Sequence, residues 1–185
     1  YTVSPDGTEE PGMKYDCLLF IGGDGTMLRS AHTALRLDIP ITGIDAGCAG
    51  YYARIKENEI EEKLERLIGD DYEPEMCTLM MHNGTVPVVN DAVAMVKGGV
   101  AGFLVVRKNG RTIYSTVSSG IIFSTTIGST GINLSAGGSV LQNGMDVMEI
   151  TPVLPNRGMK HSLVIPLSDG VELTCTAETT VSLDG

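Results

Sequence analysis

Ile21-Gly22-Gly23-Asp24-Gly25-Thr26 is the stretch on which the reading of this chain turns. Three glycines and one carboxylate follow an apolar run, Tyr15 to Ile21, and lead into a segment where Leu28, Ala31 and Leu35 recur at helical spacing. Strand, glycine turn and helix in this order form a phosphate-binding turn. Glycine reaches backbone angles closed to other residues and lets bare N–H groups approach a ligand. Asp24 stands where an anionic ligand would repel it, so its presence calls for a chemical reason such as proton abstraction or metal binding. The structural alternative is a helix cap, with the Asp24 carboxylate bonding the N–H of Thr26 or Met27.

Outward from the turn, a second strand is expected at Ile41 to Asp45 and a second helix at Lys56 to Ile68. There Ile60, Leu64, Leu67 and Ile68 make an apolar stripe, and Gly69 stands where a helix stops. The alternation strand, helix, strand, helix builds a parallel sheet, whose ligands bind beyond the carboxyl ends of the strands. Past about Asp71 the hydrophobic period shifts towards two. Strands are expected at Val86 to Val89, Ala92 to Val96, Phe103 to Arg107, Thr112 to Val117, Gly120 to Ser124, Ser162 to Leu167, Val171 to Ala177 and Thr180 to Leu183. Asn109-Gly110 is a two-residue hairpin turn. The fold class is therefore α/β plus all-β: residues 1–14 a loop or tail, 15–75 an α/β nucleotide-binding domain, and 76–185 a β-sandwich.

Composition bounds the function. The 185 residues carry 13 Lys and Arg against 23 Asp and Glu, a formal net charge of -10, which gives no support to a nucleic-acid surface. A polyphosphate substrate would have to be held locally by N–H groups, a helix N-terminus and a divalent cation. No apolar run approaches the roughly twenty residues of a membrane span, and nothing at the N-terminus resembles a signal peptide, so the expected location is the cytoplasm. Cys17, Cys48, Cys77 and Cys175 are scattered and read as buried or free thiols, not a zinc site. His32, His82 and His161 lack partners at a recognisable spacing and read as structural or surface residues, and no spacing names a metal ligand. GxxxxGK[ST] is absent, which excludes a P-loop. Gly43, Gly47 and Gly50 have the wrong spacing for a dinucleotide fingerprint, and the protein-kinase HRD and DFG elements are missing.

Two motifs of the β-rich half carry possible chemistry. The run Ser124-Thr125-Thr126-Ile127-Gly128-Ser129-Thr130-Gly131-Ile132-Asn133-Leu134-Ser135-Ala136-Gly137-Gly138 offers hydroxyl and N–H donors without positive charge. It reads either as a turn with capping Ser and Thr or as a loop wrapping phosphate oxygens or ribose hydroxyls. Asn90-Asp91 interrupts an apolar run, and reads either as a bulge or as an adenine- or ribose-binding pair.

In this order GGDGT, Gly43-Ile44-Asp45, Gly50-Tyr51-Tyr52, Asn90-Asp91, the ST..GST and SAGG loop and Thr151-Pro152 resemble the NAD kinase family, from Tyr15 to Gly185. The resemblance implies an α/β domain joined to a β-sandwich, and transfer of the ATP γ-phosphoryl group to the 2′-hydroxyl of the adenosine ribose of NAD. It implies Asp24 as the base, Gly22, Gly23, Gly25 and Thr26 around the ATP phosphates, and Mg²⁺ as cofactor. Tyr51, Tyr52, Asn90, Thr130, Gly131 and Ser135 match positions lining the adenosine half of NAD, and Asp91 matches one that makes a polar contact to the dinucleotide. It further implies a homodimer or homotetramer. The chain departs from the family pattern at Asp91, usually Glu, and at Ser118-Ser119-Gly120, where Gly-Asp-Gly is usual. It departs again at Thr126, Ile127 and Ile132 of the loop, and at Asn156 and His161. Lost nicotinamide-side contacts leave a non-catalytic or substrate-shifted homologue as the alternative. A diacylglycerol-type lipid kinase, which shares GGDGT, is a third reading that the acidic balance opposes. Against the same pattern the first strand-helix unit and the last strands are missing, so both domains are expected to be incomplete.

Overall fold

The computed structural model describes residues 13–46 and 51–185, which form two units, one up to Pro74 and one from Glu75. The tail expected over 1–14 falls outside the described residues except for its last two, as do Gly47, Cys48 and Gly50.

The first unit opens with β1 (Leu18–Ile21), α1 (Asp24–Leu37) and β2 (Ile41–Ile44), and the strands pair in parallel with Phe20 opposite Gly43. Gly43 is required there, because a Cβ on it would lie 2.1 Å from the Phe20 ring. The ladder runs one residue past β1, where the Gly22 N–H donates to the Ile44 carbonyl at 3.0 Å. α1 buries Met27, Ala31 and Ala34, not the Leu28, Ala31, Leu35 face expected from periodicity. Leu35 is 41% exposed, and the stripe is rotated by about one position towards the smaller side chains. The second expected helix is a single 3₁₀ turn, Glu57–Glu59, followed by α2 (Ile60–Ile68). Gly69 caps α2, but the left-handed residue that ends it is Asp70, at φ 58.

The second unit is all β apart from short helical turns. Its strands are β3 (Met80–His82), β4 (Val86–Val88), β5 (Asp91–Val96), β6 (Gly102–Lys108), β7 (Arg111–Ser118), β8 (Gly120–Ser124), β9 (Val147–Val153), β10 (Arg157–Gly158), β11 (Leu163–Pro166), β12 (Glu172–Cys175) and β13 (Thr179–Leu183). Between β8 and β9 lie a 3₁₀ turn, Gly128–Thr130, and the one-turn helix α3 (Ile132–Ser135). One antiparallel sheet has the order β10-β7-β6-β12, a second β11-β9-β8-β5-β13, and β3 and β4 pair by themselves. The Asn109-Gly110 turn joins β6 to β7 with positive φ at both residues, 51 and 74, as a tight hairpin requires.

Ala94, Val96, Leu104, Val106, Tyr114, Ile121, Phe123, Met148 and Ile150, drawn from both sheets, form one core. The Tyr114 hydroxyl donates to the His161 carbonyl at 2.7 Å, and burial pushes its pKa up to about 12. Strand β9 was not expected, since Glu149 and Pro152 break its apolar pattern. It pairs on both edges, with β8 and β11, and is buried along most of its length, so no two-residue alternation marks it.

Candidate functional site

In the first unit the site is the turn between β1 and α1. Gly22 has φ 150, and a Cβ on it would meet the Thr26 side chain at 2.6 Å, so the chain itself requires glycine there. Gly23 and Gly25 differ, for a Cβ on either would meet nothing within 4 Å. Gly23 is the N-cap of α1, and its carbonyl accepts from the N–H groups of Thr26 at 2.9 Å and Met27 at 3.1 Å. Those are the two donors that a capping Asp24 would have needed. Asp24 is instead the first helical residue. One of its oxygens accepts from the Tyr51 N–H at 3.2 Å and the other from the Tyr52 N–H at 3.1 Å. Each oxygen keeps acceptor capacity. Tyr51 and Tyr52 thus reach Asp24 through their backbone, and the Tyr51 residue is 62% exposed.

In the second unit the site is built where β5 begins and β8 and β13 end. Thr125 Oγ1 donates to the Val89 carbonyl at 2.6 Å, its N–H donates to the Asn90 carbonyl at 3.0 Å, and its Oγ1 accepts from the Gly128 N–H at 3.2 Å. A Cβ on Gly128 would lie 2.1 Å from the Asn90 carbonyl oxygen, and one on Gly131 3.4 Å from the Asn90 amide nitrogen. Asn90 donates its side-chain amide to Asp91 at 2.9 Å. The Asp91 carboxyl titrates at about 6, raised first by burial and then by the Asp184 charge, against the opposing effect of the Asn90 hydrogen bond. Asn90, Asp91, Gly128 and Gly131 are therefore brought together. Thr130 is half-buried in the 3₁₀ turn, and Ser135 is exposed on α3.

The hydroxyl-rich loop has an inward anchor that the sequence reading missed. Glu149, fully buried on β9, accepts from the Asn133 amide at 2.8 Å and from the Ser139 N–H at 2.9 Å. The Thr151 hydroxyl donates to the Asn133 side-chain oxygen Oδ1 at 2.6 Å, and the Ser129 hydroxyl donates to the Thr126 carbonyl at 2.7 Å. Nothing in the run 124–138 names Glu149; only the pairing of β9 beside β8 places it there. At the departure from the family pattern, the Ser118 hydroxyl is buried and donates to the Gly120 carbonyl at 2.7 Å. A Cβ on Gly120 would meet Met95 at 2.5 Å. Cys17, Cys77 and Cys175 form no disulfide.

The model of the ATP-NAD kinase N-terminal domain matches residues 2–72, and that of the ATP-NAD kinase C-terminal domain matches residues 89–185. The chain belongs to the NAD kinase family. The lipid-kinase reading is thereby removed. An NAD kinase of Lachnoclostridium phytofermentans is 32% identical over 92% of this chain and 66% of its own length. One of Dehalococcoides mccartyi is 36% identical over 91% of this chain and 63% of its own. The chain thus spans somewhat under two thirds of the length of these curated relatives. Among solved structures, the yeast NADH kinase complexed with NADH superposes at a TM-score of 0.75 with 21% identity, covering 92% of this chain and 53% of that one. An NAD kinase from Archaeoglobus fulgidus in complex with ATP also gives 0.75, with 23% identity, covering 92% and 69%. Both likenesses place the α/β unit followed by a β-rich unit within the family fold. Among the described residues no helix is long and apolar enough to cross a membrane.

Proposed function

We propose that the chain transfers the γ-phosphoryl group of ATP to the 2′-hydroxyl of the adenosine ribose of NAD, giving NADP and ADP. The observation that carries this reading is the Asp24 carboxylate, held by two N–H groups at the mouth of a glycine turn whose Gly23 and Gly25 are not demanded by internal packing. In this scheme the 2′-oxygen attacks the γ-phosphorus, its proton passes to Asp24, and the bond from the γ-phosphorus to the bridging oxygen breaks towards ADP. The transition state is loose, so the protein's part is to position groups and stabilise charge. The bare backbone at Gly23 and Gly25, with Gly22 and Thr26, lies where ATP phosphates would approach, at the positive end of the α1 dipole.

Asn90 presents its carboxamide to the adenosine half of NAD, and Asp91, 2% exposed, acts through Asn90. Thr130, Gly131 and Ser135 in the second unit, and Tyr51 and Tyr52 in the first, are the further candidates for dinucleotide contact. Among the described residues no three His, Cys, Asp or Glu side chains converge on a cation position. Mg²⁺ would enter with ATP, held largely by phosphate oxygens and water. When bound it would neutralise phosphate charge. A homo-oligomer in the cytoplasm completes the proposal.

The test is NADP formation from NAD, ATP and Mg²⁺ by wild type and Asp24→Asn. The amide keeps the shape and one accepting oxygen but loses the base and one of the two bonds to the Tyr51 and Tyr52 N–H groups, so turnover should fall by roughly 10² to 10⁴ with only a small drop in melting temperature. Unchanged turnover would remove Asp24 as base. NAD binding without turnover in the wild type would select the binding-only homologue.

A further inference from the structure

Asp184 follows β13 in the left-handed conformation, at φ 57, and its carboxylate lies at the start of β5, more than ninety residues away in the chain. One oxygen accepts from the Asn90 N–H at 2.6 Å and the Asp91 N–H at 3.2 Å, and the other from the Val89 N–H at 3.0 Å. The contact is reciprocal, since the Asp184 N–H donates to the Asp91 carbonyl at 2.9 Å. From the other side Thr125 takes the Val89 and Asn90 carbonyls, and Gly128 leaves room for the latter. The polar backbone groups of 89–91 are thus gripped on both sides, N–H by Asp184 and C=O by Thr125. Three N–H donors converging on one carboxylate fix an orientation far more tightly than strand pairing alone, because each bond is charge-assisted.

We infer that Asp184 is a positioning residue: it sets the backbone of Val89 to Asp91 so that the Asn90 carboxamide is presented to the adenosine half of NAD, while Asp184 itself touches no substrate. The inference rests on the proposed reading of Asn90 as an NAD contact. It makes a distinction that a purely structural role would not. Loss of Asp184 should act on the dinucleotide and not on ATP, whose proposed contacts lie in the glycine turn.

The experiment compares wild type, Asp184→Ala, Asp184→Asn and Glu178→Ala. Glu178 pairs with Lys97 at the opposite end of the same β5–β13 pairing, and reports loosening of that pairing without the clamp. Steady-state kinetics give separate KM values for NAD and ATP, titration calorimetry gives the NAD Kd, and thermal melting gives stability. Asp184→Ala should raise the NAD KM and Kd roughly tenfold or more, the scale of one lost charge-assisted hydrogen bond, and leave the ATP KM unchanged. Asp184→Asn keeps an oxygen for the Asn90 and Asp91 N–H groups and should recover part of the loss. Glu178→Ala should leave the NAD KM unchanged. A lowered melting temperature with unchanged NAD KM and Kd in Asp184→Ala, or an Asn variant no better than Ala, overturns the inference. If the wild type neither binds NAD nor forms NADP, the proposed function fails instead. Hydrogen exchange then decides the clamp by itself: faster exchange of the Val89, Asn90 and Asp91 amides in Asp184→Ala sustains it, and unchanged exchange overturns it.

Discussion

The glycine turn at 21–26 and the hydroxyl-rich loop at 124–139 are both short, small-residue segments that follow a strand, yet they are held in opposite ways. In the turn only Gly22 is fixed by its own surroundings, while Gly23 and Gly25 are open and the Asp24 carboxylate keeps acceptor capacity. In the loop the buried side chains of Thr125, Ser129 and Asn133 are answered by the protein itself: Thr125 by Val89 and Asn90, Ser129 by Thr126, Asn133 by Glu149 and Thr151. Such satisfaction is what burial demands, because an unpaired polar group inside costs more than a made bond gains. A loop rich in donors is thus not by composition a ligand cradle. The turn's chemistry faces outward, and the loop's hydroxyls serve first to hold its own backbone.

The contrast breaks most sharply on its two carboxylates. Asp24→Asn should cost roughly 10² to 10⁴ in turnover and little in unfolding, because the one bond to the Tyr51 or Tyr52 N–H that it loses lies at a half-exposed site. Glu149→Gln makes the same chemical change and should do the reverse. It places an amide donor against the Ser139 N–H in a fully buried site, at a cost of ~1–3 kcal/mol in urea unfolding, whatever happens to activity. Equal stability losses in the two variants would erase the distinction.

Two glycines sharpen it further. Gly128→Ala drives a Cβ into the Asn90 carbonyl and should destabilise by ~1–3 kcal/mol. Gly23→Ala meets no atom and gives up only the N-cap preference for glycine, so it should cost no more than about 1 kcal/mol, while raising the ATP KM. A Gly23→Ala protein that loses as much stability as Gly128→Ala would mean the turn is as internally packed as the loop.

The smallest effect is a pH slope. Asp91 has its folded pKa raised to about 6 from 3.8, so its neutral form contributes stability that is fully present below about pH 4 and lost as pH rises through about 6. Asp91→Asn should therefore flatten the fall in melting temperature between pH 4 and 7 relative to wild type. Parallel profiles would show that Asp91 stays ionised.

Several elements were legible because their signals are local. The Asn109-Gly110 hairpin follows from two residues that tolerate positive φ, and β8, Gly120–Ser124, from a short apolar run bounded by small residues. The face of α1 was displaced because leucine spacing was followed where the packed side is Met27, Ala31 and Ala34. Strand β9 was illegible because a strand buried between two neighbours has no obligation to alternate, and its Glu149 reads as a surface residue until Asn133 and Ser139 are placed around it. At Asp24 the sequence left three roles open, cap, metal ligand and base. The structure removes the first, because Gly23's carbonyl already holds Thr26 and Met27.

By itself the sequence determined the α/β order of the first unit, the β-rich character of the second and the family to which the chain belongs, because hydrophobic period, turn preference and motif order are properties of neighbouring residues. Only the tertiary structure decided what each polar group is answerable to. Tyr51 and Tyr52 reach Asp24 across 27 and 28 residues, and Asp184 reaches Asn90 across 94. Partners so distant are selected by strand pairing and burial, and no local preference encodes them.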